Sequence, residues 1–189
     1  MLHLSCALGV NTTLSWLDLH ANNIGAVGAQ HIAEALTTNT SVTYFDLFCN
    51  QIGAVGAQHI VEALKFNATV TWLDLGMNEI GDVGVQNIAE ALQVNATLIL
   101  LSLLANGLTE EGARALVAAL KLNATVTQLD LSRNKIGDVG AQHLEEALQA
   151  NAAVTKLNLR DNDLAVASLD LLREAWRHGS GLVLAHPAV

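Results

Sequence analysis

Aspartates recur on a fixed spacing. Asp18, Asp46, Asp74 and Asp130 lie 28 residues or a multiple of 28 apart, with Ser102 and Asn158 filling the remaining positions of the series. Carboxylates gathered in a row can exchange protons as an acid–base pair or hold a cation. His31, His59 and His143 share another position of the same spacing and raise the question of a metal. Five Asn-x-Ser/Thr triplets begin at Asn11, Asn39, Asn67, Asn95 and Asn123, and two cysteines, Cys6 and Cys49, complete the reactive inventory. Each constellation has a plainer reading. A flat row of aspartates without a pocket excludes no water, so its remaining use is electrostatic attraction of a basic partner. Helices pack about 8–10 Å apart, too far for neighbouring imidazoles at one height to share an ion, so the histidines are expected at the solvated surface. Two cysteines make no disulfide framework. No phosphate loop, nucleophile elbow or metal motif is present. The expectation is therefore no enzyme, no cofactor and no metal.

The spacing itself comes from a block that repeats without insertion. Asn22, Asn50, Asn78, Asn106, Asn134 and Asn162 are 28 apart, and each precedes an Ile or Leu by two residues. The blocks begin at Leu14, Val42, Val70, Leu98, Val126 and Val154 and read roughly LxxLDLxxNxIGxxGAQxIAEALxxNAT. Leu17 and Leu19 alternate with polar residues, the period of a strand with one buried face. Ala29, Ile32, Ala33 and Leu36 follow a helical period, leaving Gln30, His31 and Glu34 outside. One block is a strand, a turn and a short helix, and it must stack on copies of itself to bury its apolar stripe. The Asn22 series can bond turn amides and carbonyls of successive blocks. Asp there would line up like charges, and all six positions avoid it. Gly25, Gly53, Gly81 and Gly137 are expected in a turn, and Gly28, Gly56, Gly84, Gly112 and Gly140 at the start of each helix. The second Asn series, Asn11 to Asn151, lies past the helix ends and is expected as left-handed helix caps. The triplets at five of these follow from that capping, not from glycosylation.

Block length and pattern resemble a leucine-rich repeat of the ribonuclease-inhibitor-like type. The resemblance spans nearly the whole chain and implies an α/β solenoid, an arc with a parallel β-sheet on the concave face and α-helices on the convex face. Asp after the second Leu belongs to that family's own pattern. The array reads as one domain over residues 1–189: a partial repeat at 1–13, five full repeats at 14–153, and a sixth repeat with a C-terminal cap at 154–189. Ala165 and Ser168 replace glycines in that cap and Trp176 replaces Leu, Arg173, Glu174 and Arg177 add charge, and Leu182 to Leu184 suggest a last half strand. At the other end only half a repeat precedes the first strand, without a polar cap. A fragment of a longer array, an edge covered by another subunit and a short helix that caps adequately all fit.

The longest apolar stretch, Ala96 to Ala105, is broken by Thr97 and Ser102 and is too short for a bilayer, so no membrane association is expected. No basic region precedes an apolar core at the N-terminus, which with two cysteines points to a cytoplasmic, reducing setting, or to a host cytoplasm for a delivered effector. Of the net charge of −9, all lies in residues 1–113, which contain ten acidic residues against Lys65 alone. A nucleic-acid partner is excluded there for want of any basic footprint.

Function is expected where the repeat varies. The third, fifth and seventh strand positions leave the concave surface to Trp16, Tyr44, Trp72, Leu100, Gln128 and Lys156, then the Asp series, then His20, Phe48, Gly76, Leu104, Ser132 and Arg160. Trp16, Tyr44 and Trp72 would form a ridge, with Phe48, Met77, Leu100 and Leu104 close by and Asp18, Asp46 and Asp74 alongside. Grouped aromatics of this kind suit a protein-binding hot spot, though the rings could instead stack mainly to stabilise the sheet. The leading expectation is a protein-interaction module, and the partner would carry a basic or apolar surface. The family permits a regulatory subunit, a ligand-sensing segment of an innate-immunity-type receptor or a bacterial effector. Alternatives are a Ran GTPase-activating-protein-like regulator and a scaffold that self-associates through the uncapped edge at Leu14 to Leu19. The segment IGAVGAQHI recurs unchanged, which also suits an engineered array.

Overall fold

The computed structural model describes residues 2–176 and 181–184. Helices and strands alternate in the order α1 (Leu2–Val10), β1 (Trp16–Asp18), α2 (Gly25–Leu36), β2 (Tyr44–Asp46), α3 (Gly53–Leu64), β3 (Trp72–Asp74) and α4 (Gly81–Leu92). The series continues with β4 (Leu100–Ser102), α5 (Glu110–Leu122), β5 (Gln128–Asp130), α6 (Gly137–Ala150), β6 (Lys156–Asn158), α7 (Val166–Ala175) and β7 (Gly181–Val183). The strands form one parallel sheet in chain order. Its register pairs Trp16 with Tyr44 and Tyr44 with Trp72, so one repeat advances the chain by one strand. The last half strand expected at Leu182 is β7, parallel to β6. Arg177 lies outside the described residues.

Packing follows the two periods. Leu17, Phe45, Leu73, Leu101, Leu129 and Leu157 point inward from the strands and meet Ile32, Ile60, Ile88, Leu116 and Leu144 from the helices in one continuous buried core. Each interior block closes its polar groups partly on itself and partly on the adjacent block. Asn78 Oδ1 accepts from the backbone N–H of Asn50 at 2.9 Å and of Ile52 at 3.4 Å, while its Nδ2 donates to the carbonyls of Leu47, Leu75 and Gly76 at 2.8–3.0 Å. This side chain is fully buried, and its bonds join two adjacent repeats. Helix starts are satisfied the same way: Ile24 supplies no side-chain cap to α2, and the Gly25 N–H instead donates to the Asn50 carbonyl at 2.9 Å.

Two expectations about turns are corrected. The second Asn series is not left-handed. Asn123 has φ −76° and Asn151 φ −102°, because the side chain does the work: Asn67 Oδ1 accepts from the Thr69 and Val70 N–H groups, and Nδ2 donates back to Leu36 and Asn39. Burial and bonding of Nδ2 at Asn39, Asn67, Asn95 and Asn123 also leave no room for a glycan. Left-handed residues occur instead around the first series, at Ala21 and Asn23, Cys49 and Gln51, and Met77 and Glu79, with φ of 49–58°. Of the two glycine series, the first takes the turn conformation expected of it and the second does not open the helices. Gly25, Gly53, Gly81 and Gly137 hold φ near +60° and begin their helices, whereas Gly56, Gly84 and Gly140 lie inside the first turn. A Cβ on Gly84 would come within 2.3 Å of Ile80 Cγ2 and 3.1 Å of the Ala54 Cα, so this glycine permits close helix contact. The fourth repeat differs: Gly107 carries the positive φ, and Thr109 caps α5 by accepting from the Glu111 N–H.

Asn78→Ala should lower stability by roughly 3 kcal/mol, since it strands buried donors and acceptors in two repeats. Asn22→Ala, at an exposed position with fewer bonds, should cost clearly less. Equal urea midpoints for the two variants would rule out a load shared between repeats. Gly84→Ala should cost about 1–3 kcal/mol through overpacking.

Candidate functional site

Because β1, β2 and β3 pair in register, their outward third positions stand side by side. Trp16 stacks on Tyr44 with ring centroids 3.4 Å apart and planes 8° from parallel, and Tyr44 stacks on Trp72 at 3.8 Å and 13°. The rings therefore do stack, as the plainer expectation held, and they remain accessible at the surface: Trp16 is 59 % exposed, with Tyr44 and Trp72 half-buried between neighbours. Flat rings spaced this closely form a single apolar slab whose outer edge faces solvent. Phe48 and Gly76 belong together, since a Cβ on Gly76 would lie 2.9 Å from the Phe48 ring, and glycine there lets the ring lie down on the next strand. Leu100 continues the row beside Trp72. Leu100 and Leu104 are half-buried. Met77 sits one residue beyond the sheet face, exposed in a left-handed turn on the rim, so it is not part of the strand surface.

The aspartates have a local duty. Asp18, Asp46, Asp74 and Asp130 each accept from the backbone N–H two residues on, at 2.7–3.1 Å, and Asn158 does the same for Arg160 at 3.2 Å. This closes the turn by which the chain leaves the strand. Their charges still act on the surface. Burial pushes the Tyr44 phenol up to about 12, helped by the charges of Asp46, Asp18 and Asp74 and by its long hydrogen bond to Asp46 Oδ2 at 3.5 Å. Burial also raises Asp74, with the charges of Asp46 and Asp130 adding to it, against the opposing bonds from the Gly76 N–H and the Ser102 hydroxyl. At the exposed end, His20 Nδ1 lies 2.8 Å from Asp18 Oδ1, a bond that raises His20. Asp18 is lowered, first by the His20 N–H and then by the ring.

Past Trp72 the outward third positions no longer carry rings, and the surface sinks into a hollow of about 370 Å³. Trp72 and Leu100 form one wall, with Asp74, Ser102, Asp130 and Lys156 around the rest. The sequence reading had Trp72, Asp74 and Leu100 but missed the hollow, which arises only where large rings give way to Leu, Gln and Lys on adjacent strands. It also missed an apolar row on the helix ends, where Phe66, Val94 and Leu122 are 79 %, 63 % and 68 % exposed at the same repeat position. That signal lay in the residue just before each second-series Asn. His31, His59 and His143 are half-buried rather than solvated, and His31 Nδ1 is enclosed 3.6 Å from the Glu34 carboxylate. Among the described residues no three His, Cys, Asp or Glu side chains gather in a way that could hold a metal ion. Cys6 and Cys49 are free thiols.

A leucine-rich repeat family model matches residues 10–33, 38–61, 66–89 and 122–144, about half of the 189 residues, and the chain belongs to the leucine-rich repeat family. The stretch between the third and fourth matches, residues 90–121, contains β4 and all but the last residue of α5, the repeat in which Ser102 replaces Asp and Gly107 and Thr109 change the turn. Among solved structures, leiomodin-1 actin-binding site 2 superposes with a TM-score of 0.64 at 22 % identity, over 76 % of this chain and 84 % of that one. The tropomodulin C-terminal domain of Caenorhabditis elegans gives 0.63 at 12 % identity, over 80 % and 90 %. The leucine-rich repeat-containing protein LegL7 of Legionella pneumophila gives 0.53 at 20 % identity, over 93 % and 67 %. At these identities the likeness is one of fold. No curated protein matches the sequence significantly.

The single tyrosine makes the electrostatics of the slab measurable. Absorbance titration should show Tyr44 ionising near 12, well above the ordinary value of about 10. An unfolded phenol releases its proton first, so the folded state binds more protons between these values and loses stability as pH rises through them. Tyr44→Phe should remove that alkaline loss; an ordinary titration midpoint would show that burial and the aspartates do not govern the ring.

Proposed function

We propose that the chain is a non-enzymatic protein-interaction module that holds a protein partner on the outward face of its first four strands. The observation that carries this reading is the slab of Trp16, Tyr44 and Trp72. Three large rings on positions the repeat leaves variable, with the outer edge open, bury much area on contact at low entropic cost. Asp18, Asp46 and Asp74 lie along the slab, and the N-terminal half holds ten acidic residues against one lysine, which favours a basic or apolar partner surface. Phe48, Leu100 and Leu104 extend the apolar footprint, and the hollow beyond Trp72 receives one large side chain of the partner. Met77 borders this surface at the rim. Support for protein binding as the use of the array comes also from leiomodin-1, which has its actin-binding site 2 on this fold. The free thiols of Cys6 and Cys49 suit a reducing cytoplasm, the chain's own or a host's.

The test is affinity capture from the native host with three baits: the natural chain, Trp16→Ala/Trp72→Ala, and Phe66→Ser on the helix-end row. The double variant should keep its fold by circular dichroism, because both rings lie outside the core, and should bind the captured partner at least tenfold more weakly. Phe66→Ser should bind as the natural chain does. Loss of the partner with Phe66→Ser, or its full retention by the double variant, would place the interface elsewhere.

A further inference from the structure

One face of the Trp72 ring lies on Tyr44 with centroids 3.8 Å apart, and the other is turned toward β4, where the outward position carries Leu100 in place of a ring. Strands stand about 4.8 Å apart, so Trp72 on β3 and Gln128 on β5 leave room above Leu100 for one flat group. This slot is part of the hollow beyond Trp72, with Leu100 and Ser102 as its floor and Asp74 and Asp130 at its two sides. Ser102 makes it possible, being smaller than the Asp at the same position of both neighbouring repeats. All three strands are interior, paired on both sides, so the slot owes nothing to either end of the sheet. Its two carboxylates bond only neutral donors. Asp74 accepts from the Gly76 N–H at 2.7 Å, and Asp130 from the Ser132 N–H at 2.8 Å and the Asn158 amide at 3.1 Å. Among the described residues neither has an ion pair. Burial raises the Asp74 carboxyl above its ordinary range and the charges of Asp46 and Asp130 add to this, so a cation arriving here relieves a repulsion already present. Lys156, the one cation on the lining, stands three strands from Trp72 and reaches toward Gln128 Oε1 at 3.4 Å.

We infer that this slot takes an arginine side chain of a protein partner, its guanidinium stacked on the free face of Trp72 and held between the carboxylates of Asp74 and Asp130. The inference rests on the outward face being the binding face, and it names what that face selects. A guanidinium is flat, spreads its charge over the plane and is weakly hydrated, so it stacks and pairs at once. A lysine ammonium would pair without stacking. A phenyl ring would stack, but it would strip water from two carboxylates and offer them no donor. An acidic side chain would meet like charge from both walls. The row of rings thus ends at a position that a planar cation completes.

The probe is the blocked tripeptide Ala-Arg-Ala, titrated into the full chain at low salt and followed by NMR at the Trp72 indole N–H and the Leu100 methyls. Both signals should move saturably. The lysine tripeptide, and the citrulline tripeptide that keeps the flat shape without the charge, should each bind about tenfold more weakly or worse. Asp74→Asn should weaken the arginine peptide about tenfold with the turn still closed, because Asn158 closes the same turn in the sixth repeat. Leu100→Trp should abolish binding by filling the slot with a further ring. Glu90→Gln, the same loss of charge on α4, should bind as the natural chain does. No saturable shift, equal binding of either counterpart peptide, or binding that Leu100→Trp leaves unchanged would overturn the inference. A captured partner lost from Trp16→Ala/Trp72→Ala but fully kept by Asp74→Asn and Leu100→Trp would also overturn it, while leaving the slab as the interface. Tripeptide binding as described, beside a partner that the double tryptophan variant retains, would support the slot and refute the slab.

Discussion

A single repeat of this chain cannot satisfy its own polar groups, and the structure depends on the bonds by which each repeat completes the one before. The carboxamide of Asn78 is the clearest case, since one buried side chain answers donors and acceptors in two blocks. The second asparagine series does the same at the other end of the helix, tying Asn67 to the helix end of the preceding repeat. Burial of Leu and Ile supplies the driving force, but it is non-directional. The two asparagine ladders set the advance at one strand per 28 residues.

That rigid advance is what makes the outward face useful. Parallel strands held in register put side chains 28 residues apart next to each other, so three separate aromatics become one slab. The aspartates beside it serve twice. Each closes the turn after its strand, and their charges add to burial in holding the Tyr44 proton and keep the surface acidic. Where the third position loses its rings, the same register produces a hollow instead of a ridge.

The same mechanism explains the contrast between the two ends of the sheet. At the C-terminal end the repeat degenerates into α7 and β7, with Ser168 and the Ala165 N–H bonded to Asp138 in place of the glycine contact of interior repeats. At β1 the interior pattern continues unaltered to the edge. Among the described residues β1 is the first strand of the sheet, and Trp16 on it is exposed.

Much was legible without coordinates because the repeat states its periods six times over. Strand and helix identity, the inward leucines, the outward aromatic column and the family resemblance all follow from spacing, since a stacked array converts spacing directly into adjacency. Local backbone geometry was not legible. Asparagine past a helix end reads as a left-handed cap until its side chain is seen reaching into the previous repeat, and that reach leaves the backbone extended. Gly56 and Gly84 read as helix starts because pattern alone cannot tell a conformational glycine from one that admits a neighbouring helix. The Phe66, Val94 and Leu122 row and the hollow beyond Trp72 depend on which way side chains leave curved, packed elements. Sequence by itself determined that the blocks must stack and which residues line up. Only the tertiary structure decided how closely the rings meet and which polar groups each asparagine answers, because those are distances between repeats rather than properties of any one.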